Sequence, residues 1–343
     1  MKKKILILNK NLIKKNYKYI YLNKYLKNTD DDNESIPLTC QNTNNFSDLE
    51  KSVWEIYKNI ISNSKVFFNT TFKLSHTHKD YEVLLGTFAI KISRLLAGRK
   101  KKLDLIVKKE KIKFFGVSKN FEFFSFKDSV DFSKCIVEND KRNIYVSEFL
   151  TLSLLKFYYP SKFKIIYHNE LKNINKKVEK KTFNENNFFI AKFKNYLKNL
   201  LLNFSFNKGN IILYQSFLNW KDSFHLQSKL FQLPSFWVND SFISRKINHK
   251  IRNKKINIFL QSNSLTNKDT EFFKIFFYLL PTCYFEAFNN NIKHIQKNNL
   301  YKLSKKSDLI FTSNAHEYDE IFKLSIFLNK IRKKVIIGQH GCN

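Results

Sequence analysis

The chain has 343 residues, 43% of them hydrophobic and 16% aromatic, which excludes a disordered chain and allows one large domain or two ordinary ones with a real core. A net charge of +32 raises nucleic acid or an anionic surface as a partner, but only six of the 61 basic residues are arginine (94, 99, 142, 245, 252 and 332). Arginine is the side chain that reads phosphates and bases bidentately, so a lysine-dominated excess disfavours nucleic acid and matches the composition encoded by an AT-rich genome. The lysines would still favour anionic lipids or nucleotide-linked substrates.

In chain order, Ile5–Leu8 is too short an apolar run for a signal peptide and reads as a first parallel strand. Ser47 with Glu50 has the form of a capping box opening a helix over 47–62. Apolar positions 81, 84, 85, 88, 92, 95 and 96 predict a second helix over 81–96. Leu103–Val107 and the Phe-rich stretch 113–126 read as strands, and 143–159 as an amphipathic helix ended by Pro160. Residues 171–187 are Lys- and Asn-rich and read as a linker or exposed excursion, followed by a basic helix over 188–204.

Beyond residue 208 strands and helices alternate. Strands are predicted at 210–214, 256–260, 308–312 and 334–337. Helices are predicted at 222–233, at 269–280 up to Pro281, onward to about 298, and at 315–329. Apolar strands in this alternation imply a parallel sheet covered on both faces. No run reaches the ~18 apolar residues of a membrane span. The nearest, 272–288, is interrupted by Lys274, Pro281 and Glu286.

Four stretches carry candidate chemistry. Gly338, Gln339, His340 and Gly341 follow the last predicted strand, and ligands of doubly wound sheets bind at the carboxyl ends of strands. His340 has the chemistry of a general base, Gln339 that of an oxyanion donor, and the glycines allow close backbone approach. The alternative is a turn with an incidental histidine. Ser313 and Asn314 follow the strand in DLIFTSNAHEYDEIF, where they could present a helix N-terminus to an anion or simply cap it. Glu286 in LLPTCYFEAF has aromatic neighbours that would suit an acid of raised pKa, against an exposed Glu on an amphipathic helix. His76 and His78 in SHTHKDYEVLLG lack a third metal ligand, which leaves His78 as a substrate-contacting or helix-capping residue. Cys40, Cys135, Cys283 and Cys342 have neither zinc nor CxxC spacing, which fits a reducing cytoplasm. With six glycines and no P-loop, GxGxxG, HExxH or GxSxG, the chain has no phosphate-cradling loop and implies no cofactor of its own.

Taken together, four separated stretches resemble a family of bacterial transferases associated with surface-carbohydrate biosynthesis, which has a GT-B-like architecture. FKLSHTHKDYEVLLGTFAIKI is similar to that family's N…H…Y…ILIGPWL segment, LLPTCYFEAF to its LP…E.F helix, SDLIFTSNAHEYDEIFKLS to its IFTSN strand and helix, and KKVIIGQHGCN to its KLVIGQHGG loop. Thr87-Phe88 stands where the family has Pro-Trp, and Cys342 where it has Gly. The resemblance implies a Rossmann-like parallel sheet with flanking helices and a helical insertion, forming the N-terminal, acceptor-side half of a GT-B-like enzyme. Residues 1–170 would be an α/β and helical region, 171–187 a linker or excursion, and 188–343 an α/β region ending at the interdomain cleft.

The same resemblance implies that the nucleotide-linked donor belongs to a further C-terminal domain, so that this chain is inactive alone or completed by a separate chain. His340 would be the base or a phosphate contact, and the partner a glycan or lipid-linked acceptor, with cytoplasmic placement at the inner membrane face. Two other expectations compete: a non-catalytic basic module using 188–204 to bind anionic membrane or RNA, and a remnant without present function.

Overall fold

The computed structural model describes residues 4–7, 18–21, 43–109, 114–118, 126–137, 141–168, 211–216, 218–230, 249–262, 267–329 and 334–338. They form a mixed α/β protein, mostly helical, with two small parallel sheets. The chain divides into two compact units: one of residues 1–71, 88–174 and 249–281, the other of 72–87, 175–248 and 282–343. The predicted linker 171–187 and helix 188–204 lie outside the described residues.

In the first unit, β1 (Lys4–Ile7), β2 (Lys18–Tyr21), β3 (Phe114–Ser118) and β4 (Lys164–His168) pair in parallel in the order β2-β1-β3-β4. The helices of the unit come from α1 (Thr43–Phe72), α2 (His78–Lys109), α3 (Ser129–Val137), α4 (Lys141–Tyr158), α6 (His249–Ser262) and α7 (Asn267–Leu279). Helix α5 (Trp220–Lys229) belongs to the second unit.

Aromatic rings fill the core of this unit. Phe67 of α1 packs edge-on against Phe259 at 5.2 Å, Phe273 at 5.8 Å and Phe277 at 4.6 Å. Phe88 meets Phe132 at 4.8 Å and Phe276 at 5.7 Å, and Phe149 stacks on Tyr278 at 4.5 Å. Each such pair adds about 0.5–1.5 kcal/mol to the area it buries.

Two predicted strands are helical, for one reason. Leu103–Val107 lies inside α2, where Leu103 and Ile106 are buried and Leu105 is exposed. Ile256–Leu260 lies inside α6, where Ile256 and Phe259 are buried and Ile258 is 54% exposed. Burial at i and i+3 is the helical pattern, which a five-residue apolar run does not display on its own. The Ser47 capping box is overturned as well, because α1 already begins at Thr43. Of the stretch 113–126, residues 114–118 are strand as expected.

The second unit holds the other sheet, β5 (Ile211–Leu213), β6 (Leu309–Thr312) and β7 (Lys334–Ile337), parallel and in that order. The register pairs Ile212 with Ile310 and Ile310 with Val335. Its helical elements are α5, the first turns of α2, α8 (Thr282–Glu286), a π turn over Ala287–Asn291, α9 (Ile292–Lys297), α10 (Asn299–Lys306), α11 (Ala315–Tyr318) and α12 (Glu320–Leu328). Ile212, Tyr214, Leu300, Leu303, Ile310, Ile321, Phe322 and Ile326 bury one another beside this sheet.

Helix α2 starts with a capping box of its own. The Asp80 carboxylate accepts from the Thr77 backbone N–H at 2.7 Å, and the Asp80 N–H donates to Thr77 Oγ1 at 3.4 Å.

The Phe67 cluster predicts that Phe67→Ala lowers unfolding free energy by about 3–5 kcal/mol in urea denaturation, since the surrounding rings cannot collapse into the gap. Thr77→Ala removes only a cap, and the same measurement is expected to give about 1 kcal/mol.

Candidate functional site

The carboxyl ends of β5, β6 and β7 stand side by side because the strands are parallel and in register. Hydrogen bonds continue beyond the strands. The Ser313 N–H donates to Gln215 O at 3.2 Å, the Ser313 hydroxyl to Ser216 O at 3.0 Å, and the Gly338 N–H to Thr312 O at 2.8 Å. Ser313, Asn314 and Gly338 therefore share one edge of one sheet. Gly338 is glycine for a steric reason: a Cβ there would come within 2.6 Å of the Phe311 ring. Gln339, His340 and Gly341 follow Gly338 in sequence and lie outside the described residues.

The edge is shaped by Asp319. Its Oδ2 accepts from the Tyr214 hydroxyl at 2.6 Å and from Gln215 Nε2 at 2.9 Å, while Oδ1 accepts the Phe322 N–H at 2.9 Å and caps α12. Gln215 takes a left-handed φ of 47°, a conformation that strains a residue with a Cβ and needs holding by its surroundings. The Tyr214 ring stacks on Phe322, centroids 5.4 Å apart.

The predicted helix 315–329 is in fact two helices broken at Asp319. The anion-binding reading of its N-terminus falls with that break. Helix α11 is a single turn, and its Ala315 N–H is taken by the buried Thr312 hydroxyl at 3.2 Å. Asn314 does not cap the helix with its side chain; its Oδ1 is buried and accepts no hydrogen bond among the described residues. The edge therefore presents hydroxyl and amide groups with carboxylates behind them. The Tyr318 phenol is pushed above its ordinary pKa by burial first and then by the hydrogen bond and charge of Glu317, so it stays neutral.

Lys323 of α12 is fully buried. Its Nζ lies 3.7 Å from Glu320 Oε1, donates to Glu317 O at 3.2 Å and sits 5.5 Å from the Tyr284 ring centroid. It ties α12 to α11 from inside the unit. Glu286, which the sequence left open between buried acid and exposed surface residue, is 6% exposed on a helix that is buried throughout.

His78 is the first residue of α2 and does not cap it. Its Nε2 faces Glu82 Oε1 at 3.6 Å, with both side chains about two-fifths exposed (40% and 42%). The structured histidine is His76, buried, stacked on Phe327 at 3.8 Å, with Nδ1 3.6 Å from Asp80 Oδ2. The nearby Tyr81 phenol is held neutral by burial, with the Asp80 charge adding to the upward shift. Among the described residues no group of His, Cys, Asp or Glu could hold a metal ion. Cys135 and Cys283 are buried and form no disulfide with each other.

Sequence reasoning missed Tyr214, Gln215, Asp319 and Lys323. Two signals were present: Asp319 stands three residues before Phe322 at a cap position, and Lys323 interrupts the otherwise apolar run IFKLSIFL.

A family model described as LIC12162 family transferase matches residues 2–343. The chain belongs to that family. No curated protein and no solved structure matches it. Among the described residues no helix is long and apolar enough to cross a membrane.

The Lys323–Glu320 pair gives a clear expectation. Glu320→Ala leaves a buried ammonium without its carboxylate and is expected to lower stability by about 3–5 kcal/mol. The double change Glu320→Leu with Lys323→Met removes both charges and is expected to recover most of that loss. Thermal and urea unfolding of the two variants checks the difference, and equal losses would contradict it.

Proposed function

We propose that the carboxyl edge of β5, β6 and β7 is the acceptor side of a glycosyl or related transferase of bacterial surface-polysaccharide biosynthesis, with a GT-B-like, Rossmann-type organisation. Membership of a transferase family supports the reaction class. One observation carries the placement: Ser313, Asn314 and Gly338 meet at one strand edge, and Gly338 leads directly into Gln339, His340 and Gly341.

The groups at this edge favour a polyhydroxylated acceptor over a polyanion. Hydroxyls and amides donate and accept hydrogen bonds to sugar hydroxyls, whereas Asp319 and Glu317 oppose a phosphate. Lys323, the one ammonium buried among the described residues, is already engaged by Glu320. In this reading His340 takes the proton from an acceptor hydroxyl as its oxygen bonds to the anomeric carbon of a nucleotide-linked donor. The bond from that carbon to the leaving phosphate oxygen breaks, and the nucleotide departs with the electron pair. Asn314 and Gln339 orient the acceptor, and Glu286 is a candidate acid for the departing side. His78, exposed and paired with Glu82, has the weakest support as a substrate contact.

The test is transfer from a panel of nucleotide sugars to glycan and lipid-linked acceptors, together with direct binding of the acceptors. His340→Ala is expected to lower turnover about 100-fold or more with acceptor binding kept. Asn314→Ala is expected to weaken acceptor binding about five- to tenfold, the worth of one hydrogen bond. A protein that transfers from no donor, and whose glycan binding is unmoved by Asn314→Ala, would sink the reading.

A further inference from the structure

Helix α1 has two faces of different character. Val53, Ile56, Ile60, Ile61, Ser64, Phe67 and Phe68 are buried. On the other side Lys51, Lys58 and Lys65 recur every seven residues. Seven residues are just under two helical turns, so the three ammoniums lie nearly on one line over about 21 Å. Among the described residues none of them meets a carboxylate, and Glu55, exposed close to Lys51 and Lys58, pairs with neither. Beside this line Trp54 is 51% exposed, its ring set edge-on to Tyr57 at 5.3 Å, and Val66 is 41% exposed.

A solvated lysine face needs no tryptophan. An indole half out of water beside a row of cations has the chemistry of an interfacial anchor: the ring rests at the depth of lipid headgroups while the ammoniums meet their phosphates. The row has no arginine fork and no stack of aromatic platforms, which a nucleic-acid groove would use. The net charge of +32 draws the whole molecule to an anionic surface and leaves α1 to set the contact.

We propose that the Lys51–Lys58–Lys65 face of α1, with Trp54, docks this protein on the surface of an anionic lipid bilayer. The docking is peripheral, and it is independent of the chemistry assigned to the strand edge.

The full chain is to be sedimented with vesicles of phosphatidylcholine containing about a third phosphatidylglycerol, and with vesicles of phosphatidylcholine alone. Binding is expected to the first only, falling as salt rises. Each of Lys51→Gln, Lys58→Gln and Lys65→Gln is expected to weaken it about fivefold, and the triple change about a hundredfold. The triple Lys→Arg change, which keeps the charge, is expected to bind like the parent and so separates lost charge from lost fold. With Trp220→Phe and Trp237→Phe in place, Trp54 emission is expected to shift to the blue on vesicle addition. The proposal is overturned if the triple Gln variant, folded by circular dichroism, binds with parental affinity. It is overturned equally if Trp54 emission stays put while vesicles bind, or if poly(U) binds more tightly than vesicles and through the same lysines.

Discussion

The strand edge of the second unit depends on one carboxylate. Asp319 receives a phenol, a side-chain amide and a backbone N–H, which come from two separate places in the chain's path. Tyr214 and Gln215 are brought by the end of β5, and Phe322 by the start of α12. Without that convergence Gln215 has no reason to hold a left-handed backbone, and Ser216 need not offer its carbonyl to Ser313. Three hydrogen bonds to an ionised acceptor are stronger than three between neutral groups, so the corner is set by charge as well as shape. Lys323 reinforces it from below through the Glu317 carbonyl.

Both units combine ring packing with buried polar groups. In the first, Phe67 meets Phe259, Phe273 and Phe277 edge to face and Phe273 lies tilted on Phe277, a packing that fixes geometry as well as burying area. The same unit buries Glu148 and Thr151, and the second unit buries charged and polar groups of its own. His76, Asp80, Glu286, Glu320 and Lys323 are all largely out of water, and each requires a partner to be tolerated there.

Much of the second sheet was legible in the sequence because its strands are apolar, short and bounded by turn residues: 210–214, 308–312 and 334–337 all appear within a residue or two. The strand-end residues Ser313, Asn314 and Gly338 could be named for the same reason. Legibility failed where a short apolar run lay inside a long helix, as at Leu103–Val107 and Ile256–Leu260, since only burial at i and i+3 reveals the period. It failed at Asp319 because a cap inside a helical pattern looks like one more polar position. It failed at His76 because the residue's neighbour Phe327 is some 250 positions away in the chain, and stacking across that separation leaves no local trace.

The π turn at Ala287–Asn291 has a consequence for how this segment is built. Helix α8 before it is buried on every side, while α9 after it has exposed and buried positions. A wide turn carries one residue more than an α turn, and one residue is about 100° of rotation. It works as a phase shifter: the chain leaves one helix with its face set by Glu286 and enters the next with an independently set face, with no loop between them. Phe288, inside the shifter, can then reach both Phe72 and Phe327 from a single turn. The orientation of Glu286 is thereby uncoupled from the surface demands of the residues that follow it.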